Sequence, residues 1–308
     1  MLGRACHASF FGKVLKVAAK VAPGRRRVHR GNGCRVSERW SGDDEASAKA
    51  TVSLALARPL APVTRFALPP EIGDPTAEVL SFLAEIAEET RSLTRGLLLE
   101  ASAAGEIEVA FEEIGTRIAA EFEARLAHER AIDPAFASRE RQVECRRGCV
   151  FCCHLNVSAT PLEAVRIWSA MRDGRQPGLE RAVFAAAAAL DGLDGRARLE
   201  RKAPCPLLVE SACSLYEARP LACRALLSVS VRDCERHFEA GGPALRAMPS
   251  LVTPRLVASG IMSGELAALA DLGLASHLVE LTAALALLLR EPQALRRWLG
   301  GADVFRRP

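Results

Sequence analysis

Cys145-Arg146-Arg147-Gly148-Cys149-Val150-Phe151-Cys152-Cys153-His154 is the stretch around which the chain is organised. It sets four cysteines within nine residues, and four more follow at Cys205, Cys213, Cys223 and Cys234. Eight of the ten cysteines therefore fall in a 90-residue window, with Cys6 and Cys34 far outside it. Burial alone scatters cysteines through a core and does not stack them in one loop. A disulfide framework needs an oxidising compartment, and no secretory signal is evident. Adjacent Cys152 and Cys153 could scarcely bond each other without strain. Metal is the stronger reading beside these two. Thiolates are soft ligands, and several around one centre suit Zn2+ or an iron–sulfur cluster. Gly148 helps the loop bend, because glycine takes positive φ at no steric cost. Arg146 and Arg147 either offset the charge of clustered thiolates or are ordinary solvated cations.

Outward from the cluster, the flanks read as helices. Asp74-Pro75 looks like an N-cap followed by proline in the first turn. Val79, Leu83, Ile86, Thr90 and Leu93 then recur at helical spacing until Gly105. A second helix, from about 106 to 131, carries Ile107, Phe111, Ile114, Ile118, Phe122 and Leu126 on one face. Two amphipathic helices joined by a short glycine turn predict an antiparallel hairpin. Downstream, Thr160-Pro161-Leu162-Glu163 reads as a capping box opening a helix to about Met171. An alanine-rich helix follows at about 179–190. Leu207-Leu208-Val209 and Cys213-Ser214-Leu215 predict the two arms of a small hairpin, the one plausible β structure. Arg219-Pro220 opens a helical turn holding Cys223, and helices at about 252–274, 276–290 and 292–299 finish the chain. The expected fold is mostly α: a helical hairpin, an irregular cysteine-bound metal domain with at most a small β-hairpin, and C-terminal helices. The expected divisions are 1–72 (extension and linker), 73–138 (helical hairpin), 139–240 (cysteine-cluster domain) and 241–308 (C-terminal helical segment).

Charge narrows the partners. The chain of 308 residues has a net charge of +4, but residues 1–37 hold nine Lys and Arg and no acid. Removing those nine from +4 leaves −5 for residues 38–308, so no nucleic acid is expected as a partner there. The basic stretch reads in three ways: a transit peptide, a nucleic-acid-binding arm through Arg25-Arg26-Arg27, or an extension too polar to order itself. No apolar run reaches the roughly 18 residues that span a membrane. The most apolar piece, Leu278 to Leu289, is interrupted by Glu280. No membrane partner is expected, and the location expected is the cytoplasm of a bacterial-type cell.

Two motif resemblances compete. Cys145-x3-Cys149-x-Phe151-Cys152 matches the loop of radical S-adenosylmethionine enzymes. That loop opens a barrel of alternating strands and helices, whereas the 156 residues after Cys152 read as helices. The longer pattern decides. Cys145-x3-Cys149-x2-Cys152-Cys153, Thr160-Pro161 with Glu163, Cys205-Pro206-x-Leu208, and Cys213-Ser214-x-Tyr216-Glu217-x-Arg219-Pro220-x2-Cys223-Arg224 resembles the YkgJ-type cysteine-cluster family, a zinc- or iron-chelating domain. The resemblance covers about 140–240. It implies Cys145, Cys149, Cys152, Cys153, Cys205, Cys213 and Cys223 as metal ligands, with Cys234 as the eighth. The implied cofactor is Zn2+ or an iron–sulfur cluster. Flagellin lysine methylases carry a similar cysteine region, so a protein-modifying methylase using the cluster as scaffold stands as one alternative. A metal-handling or interaction module is another. No Gly-rich loop after a strand marks a familiar methyl-donor site. His154 and His237 are further ligand candidates, since zinc accepts cysteine and histidine together. Arg219 and Arg224 read as structural residues or as hydrogen-bond donors to cluster sulfurs.

Overall fold

The computed structural model describes residues 54, 62–66, 68, 72, 74–173 and 177–306, apart from the side chains of 108, 109, 173, 177, 245 and 246. The basic stretch 1–37 with its three readings, Cys6 and Cys34 lie outside them. Helix α1 (Ala77–Ala104) begins two residues later than the Asp74-Pro75 signal suggests. Its N-cap is Thr76, whose hydroxyl accepts the Val79 amide at 3.4 Å. Gly105, in the left-handed region at φ 73°, ends it by turning its amide back onto Ala101 and Ser102 carbonyls. Helix α2 (Ile107–Ile132) returns antiparallel and buries all six residues of the apolar face read from sequence. Asp133 then caps α3 (Pro134–Glu140), accepting the amides of Ala135 and Phe136.

The middle of the chain is built from short pieces. After a 3-10 turn (Phe151–His154) come strand β1 (Ser158–Ala159) and helices α4 (Pro161–Asp173), α5 (Pro177–Leu190) and α6 (Gly195–Arg201). Strands β2 (Leu208–Val209) and β3 (Ala212–Cys213) pair as the expected hairpin, Leu208 against Cys213. Glu210 and Ser211 make its turn, both at positive φ, which suits the right-handed twist of a two-residue loop. A second 3-10 turn (Tyr216–Ala218) leads into α7 (Leu221–Arg224), α8 (Val231–Ala240) and α9 (Gly242–Arg246). The chain closes with α10 (Val252–Asp271), β4 (Val279–Glu280), α11 (Leu281–Arg290) and α12 (Ala294–Leu299). Among the described residues this makes twelve α-helices and two short antiparallel strand pairs, a mostly α fold as expected.

The hairpin was not the whole of the β structure. β1 pairs with β4, Ser158 against Glu280 and Ala159 against Val279. Two-residue strands have no periodicity to read, so this pair left no mark in the sequence. It replaces the start of the helix expected from 276, which begins at Leu281, with Glu280 as its N-cap accepting the Thr282 and Ala283 amides.

Ala50–Pro308 is one compact unit, in which the hairpin and the C-terminal helices share a core. α10 lies along α1 at very short range. A Cβ added at Gly260 would come within 2.9 Å of the Ile86 side chain, and one at Gly264 within 2.4 Å of the Ala87 carbonyl oxygen. The Gly260-x3-Gly264 spacing therefore removes side chains where two backbones meet. A buried bidentate ion pair fastens the same interface: Arg91 Nε and Nη2 donate to Asp271 at 2.7 and 2.5 Å. A second apolar cluster forms where α11 packs on α4 and α5, and a small third one joins Leu199, Cys234 and Met248. The cysteine-bearing turns sit among these three clusters.

Candidate metal centre

The loop before the first 3-10 turn carries Cys145 and Cys149, and the turn itself carries Cys152 and Cys153. Cys205 precedes β2, Cys213 lies on β3, Cys223 on α7 and Cys234 on α8. Backbone bonds lace these pieces together. The Cys205 amide donates to the Cys153 carbonyl at 2.7 Å, and the Glu144 amide to the Ser228 carbonyl at 3.0 Å. Gly148 takes φ 95°, the positive value anticipated for the bend. Glu163 completes the capping box with Thr160, each accepting the other's amide. It does more than cap: its second oxygen accepts the Leu221 amide at 2.6 Å, anchoring the first turn of α7 two residues before Cys223.

Seven of the eight window cysteines, Cys145, Cys149, Cys152, Cys153, Cys205, Cys213 and Cys223, line one cavity of about 120 Å3. Segments nearly 80 residues apart in the chain thus meet in one place. Cys234 is not on that cavity. It borders a smaller adjoining void together with Cys145, Cys149 and Cys152. All eight are free of disulfides. Among the described residues, no three His, Cys, Asp or Glu side chains converge closely enough to hold one ion.

Burial raises the thiols of Cys145, Cys149, Cys205, Cys213, Cys223 and Cys234 above the ordinary range, Cys205 to about 11. Cys152 is raised first by its hydrogen bond with Cys153 and then by burial. Neighbouring sulfurs push in the same direction for most of them. Other groups pull the opposite way, toward thiolate. The amides of Phe151, Leu207 and Leu215 donate to the sulfurs of Cys149, Cys205 and Cys213, in each case two residues upstream. The Ser228 amide donates to Cys145 Sγ at 3.1 Å. The positive charge of Arg219 acts on Cys145, Cys152 and Cys213, that of Arg146 on Cys149, and that of Arg147 on Cys213. Arg146 and Arg147 are both exposed, and the charge of each opposes the rise at one cysteine, so the two sequence readings of them are compatible. Arg219 is held by Tyr216, its guanidinium 3.9 Å from the ring centroid. Arg224 is a structural residue: its Nε donates to the Arg219 carbonyl.

The donor set fits a thiophilic metal. Buried thiols with prearranged amide donors and nearby cations become ligands once a metal cation replaces their protons. The Nε of Arg219, a residue of the cavity wall, is buried with no hydrogen-bond partner among the described residues, and an acceptor bound at the cavity would supply one. The histidines do not join. His154 Nδ1 bonds the Lys202 carbonyl and His237 Nδ1 the Ala244 carbonyl, both at 2.7 Å, and neither lines the cavity.

Residues 144–239 match the CxxCxxCC family model. Its description is "putative zinc- or iron-chelating domain". The CxxCxxCC domain covers just under a third of the chain and contains all eight window cysteines, which agrees with the YkgJ-type resemblance. The first gap here is three residues, Cys145 to Cys149, where the family's name has two. The match supports a metal ion, zinc or iron, as the domain's partner. No curated protein and no solved structure matches the chain. No helix among the described residues is long and apolar enough to cross a membrane.

Two features of the site escaped sequence reasoning. Glu265 is 1% exposed in α10 and meets Thr160 Oγ1 at 3.2 Å, directly behind the Glu163 cap. An acid standing alone in the apolar run Ile261 to Leu269 was the available signal. Ser228, whose amide serves Cys145, had none, because a backbone donor leaves no trace in residue identity.

Proposed function

We propose that the CxxCxxCC domain holds an iron–sulfur cluster through ligands drawn from Cys145, Cys149, Cys152, Cys153, Cys205, Cys213 and Cys223, and that the centre organises the fold of residues 144–239. The observation that carries this reading is the single cavity bordered by seven thiols. A lone zinc ion takes four thiolates at one point. A cluster spreads its cysteines over several iron atoms, so its thiols need not converge. The bound cluster would supply the positive charge that the raised thiols call for. This chain's own residues supply the rest: amides and arginines that favour thiolate, the Glu163 anchor under α7, and an apolar wall from Val157, Ile167 and Leu281 that keeps water away. A fold-organising role follows from the local structure, since two-residue strands and single helical turns have little core of their own.

One observation favours a second reading. Cys145, Cys149, Cys152 and Cys234 border one void, a complete four-thiolate set, with Cys153, Cys205, Cys213 and Cys223 left as another. That division would suit two zinc ions if the thiols of each set drew together on the metal. Anaerobic purification followed by iron, zinc and acid-labile sulfide analysis separates the two. Iron and sulfide in equal amounts support the cluster; two zinc per chain without sulfide refutes it and supports the second reading. A methylase or metal-handling activity would be an addition to either.

A further inference from the structure

Tyr216 and Arg219 stand three residues apart, on the second 3-10 turn and its C-cap. Side chains at that spacing lie over one another in a 3-10 turn. The Arg219 guanidinium accordingly rests on the Tyr216 ring, 3.9 Å from its centroid, and both residues line the seven-thiol cavity. The Arg219 carbonyl accepts Arg224 Nε at 3.1 Å, so backbone and side-chain head are both fixed. The donors of this fixed group are nonetheless unmatched. Nε is buried and bonds nothing, and no carboxylate pairs with the guanidinium, among the described residues. A buried donor without an acceptor is costly, and few native structures keep one without a use for it. Two spaces border Arg219. One is a void of about 20 Å3 beside Glu163 and Glu265. Both acids are engaged elsewhere: Glu163 accepts the Thr160 and Leu221 amides, and Glu265 bonds Thr160 Oγ1. The other space is the thiol cavity, where the charge of Arg219 acts on cysteines from three separate segments, Cys145, Cys152 and Cys213.

We propose that Arg219, seated on Tyr216, donates its Nε–H to a metal-bound sulfur and so retains the metal in the cavity. A guanidinium keeps its charge at every ordinary pH, and a hydrogen bond from a charged donor is about twice as strong as a neutral one. Metal-bound sulfurs are the charged acceptors that the cavity would offer. Groups that hydrogen-bond metal ligands typically cost about 10–100-fold in metal affinity when removed. The proposal rests on the reading that a metal occupies the cavity, and it holds for iron or zinc alike.

Release of metal to excess EDTA from the full-length, anaerobically purified protein tests it. Arg219→Met keeps the length and the contact with Tyr216 but has no N–H, and it should release metal about tenfold faster or more. Arg219→Lys restores a charged donor and should recover part of that loss. Arg172→Met, on α4 where Arg172 stacks on Trp168 away from the cavity, should match the parent. In an iron-loaded parent, Arg219→Met should also move the midpoint potential to more negative values, because a donor and a positive charge favour the more negative reduced cluster. The proposal is overturned if Arg219→Met releases metal as the parent does, or if an iron-loaded Arg219→Met keeps the parent's potential. It is overturned equally if Arg219→Lys is no better than Arg219→Met, which would make the residue a packing element alone. Iron, zinc and sulfide content of the parent judges the cluster reading separately, since the ratio of release rates is read with either metal.

Discussion

Replacing Gly264 by alanine tests the packing on which the frame of the molecule rests. The new Cβ would sit 2.4 Å from the Ala87 carbonyl oxygen and 2.6 Å from Thr90 Cβ. The nearer obstacle is backbone, so it cannot swing aside. Ordinary Cβ contacts begin near 3.4 Å, so α1 and α10 would have to part by the better part of an ångström. Forcing a methyl into a closed interface costs roughly 1–3 kcal/mol, while the helix-propensity gain of Gly→Ala returns about 1 kcal/mol. The side chains of Arg91 and Asp271, which bond across the same pair of helices, would be pulled apart as well, so the upper half of that range is expected. Gly96, on α1, is the control, because a Cβ there meets nothing within 4 Å. Gly96→Ala should stabilise by about 0.5–1 kcal/mol. Urea denaturation followed by circular dichroism reads both: the midpoint should fall for Gly264→Ala and rise for Gly96→Ala at a common slope. A Gly264→Ala variant as stable as the parent would refute the close helix approach.

Other substitutions test the rest of the account. Asp271→Asn leaves Arg91, 5% exposed, without its bidentate partner and should cost about 3–5 kcal/mol in the same denaturation assay; a loss below about 1 kcal/mol would show that Glu88 or Arg95 rearrangement suffices. Burial, then the charge of Glu163, raises Glu265 well above the ordinary carboxylate range, with Arg166 and the Thr160 bond opposing. The folded state therefore favours the protonated acid, and stability is full below the unfolded value of about 4.3 and declines as pH rises through the folded one. Glu265→Gln should flatten that decline and be the more stable protein at pH 8; an unchanged stability–pH profile would contradict it. Gly148→Ala meets no atom closer than 3.9 Å, so its cost is the backbone strain of φ 95° alone, about 1–2 kcal/mol. It should lower metal content, measured by elemental analysis, where Gly178→Ala leaves it unchanged.

What the sequence made legible follows from what periodicity can encode. The face of α2, from Ile107 to Leu126, repeats over five turns and was readable residue by residue. The cysteine window was readable because thiols at short spacing have few structural uses. The hairpin at 208–213 was placed by its flanking apolar runs, although its turn residues Glu210 and Ser211 are not the usual ones. The β1–β4 pair was invisible, since two residues cannot show alternation. The close contact of α10 with α1 was encoded in Gly260 and Gly264, but two glycines in an apolar helix do not name the surface they meet. The place of Cys234, off the main cavity but beside Cys145, Cys149 and Cys152, was equally hidden. Spacing gives the number of donors, and only the path of α8 places this one behind Met248.

The central claim is that one polynuclear centre occupies the seven-thiol cavity. X-ray absorption at the iron and zinc edges of the frozen, anaerobically purified protein tests it most directly. The account predicts iron surrounded by sulfur with a further shell of iron, lost together with the melting transition of the domain in Cys223→Ser. Zinc in an all-sulfur shell with no metal neighbour, or a spectrum unchanged by Cys223→Ser, would contradict it.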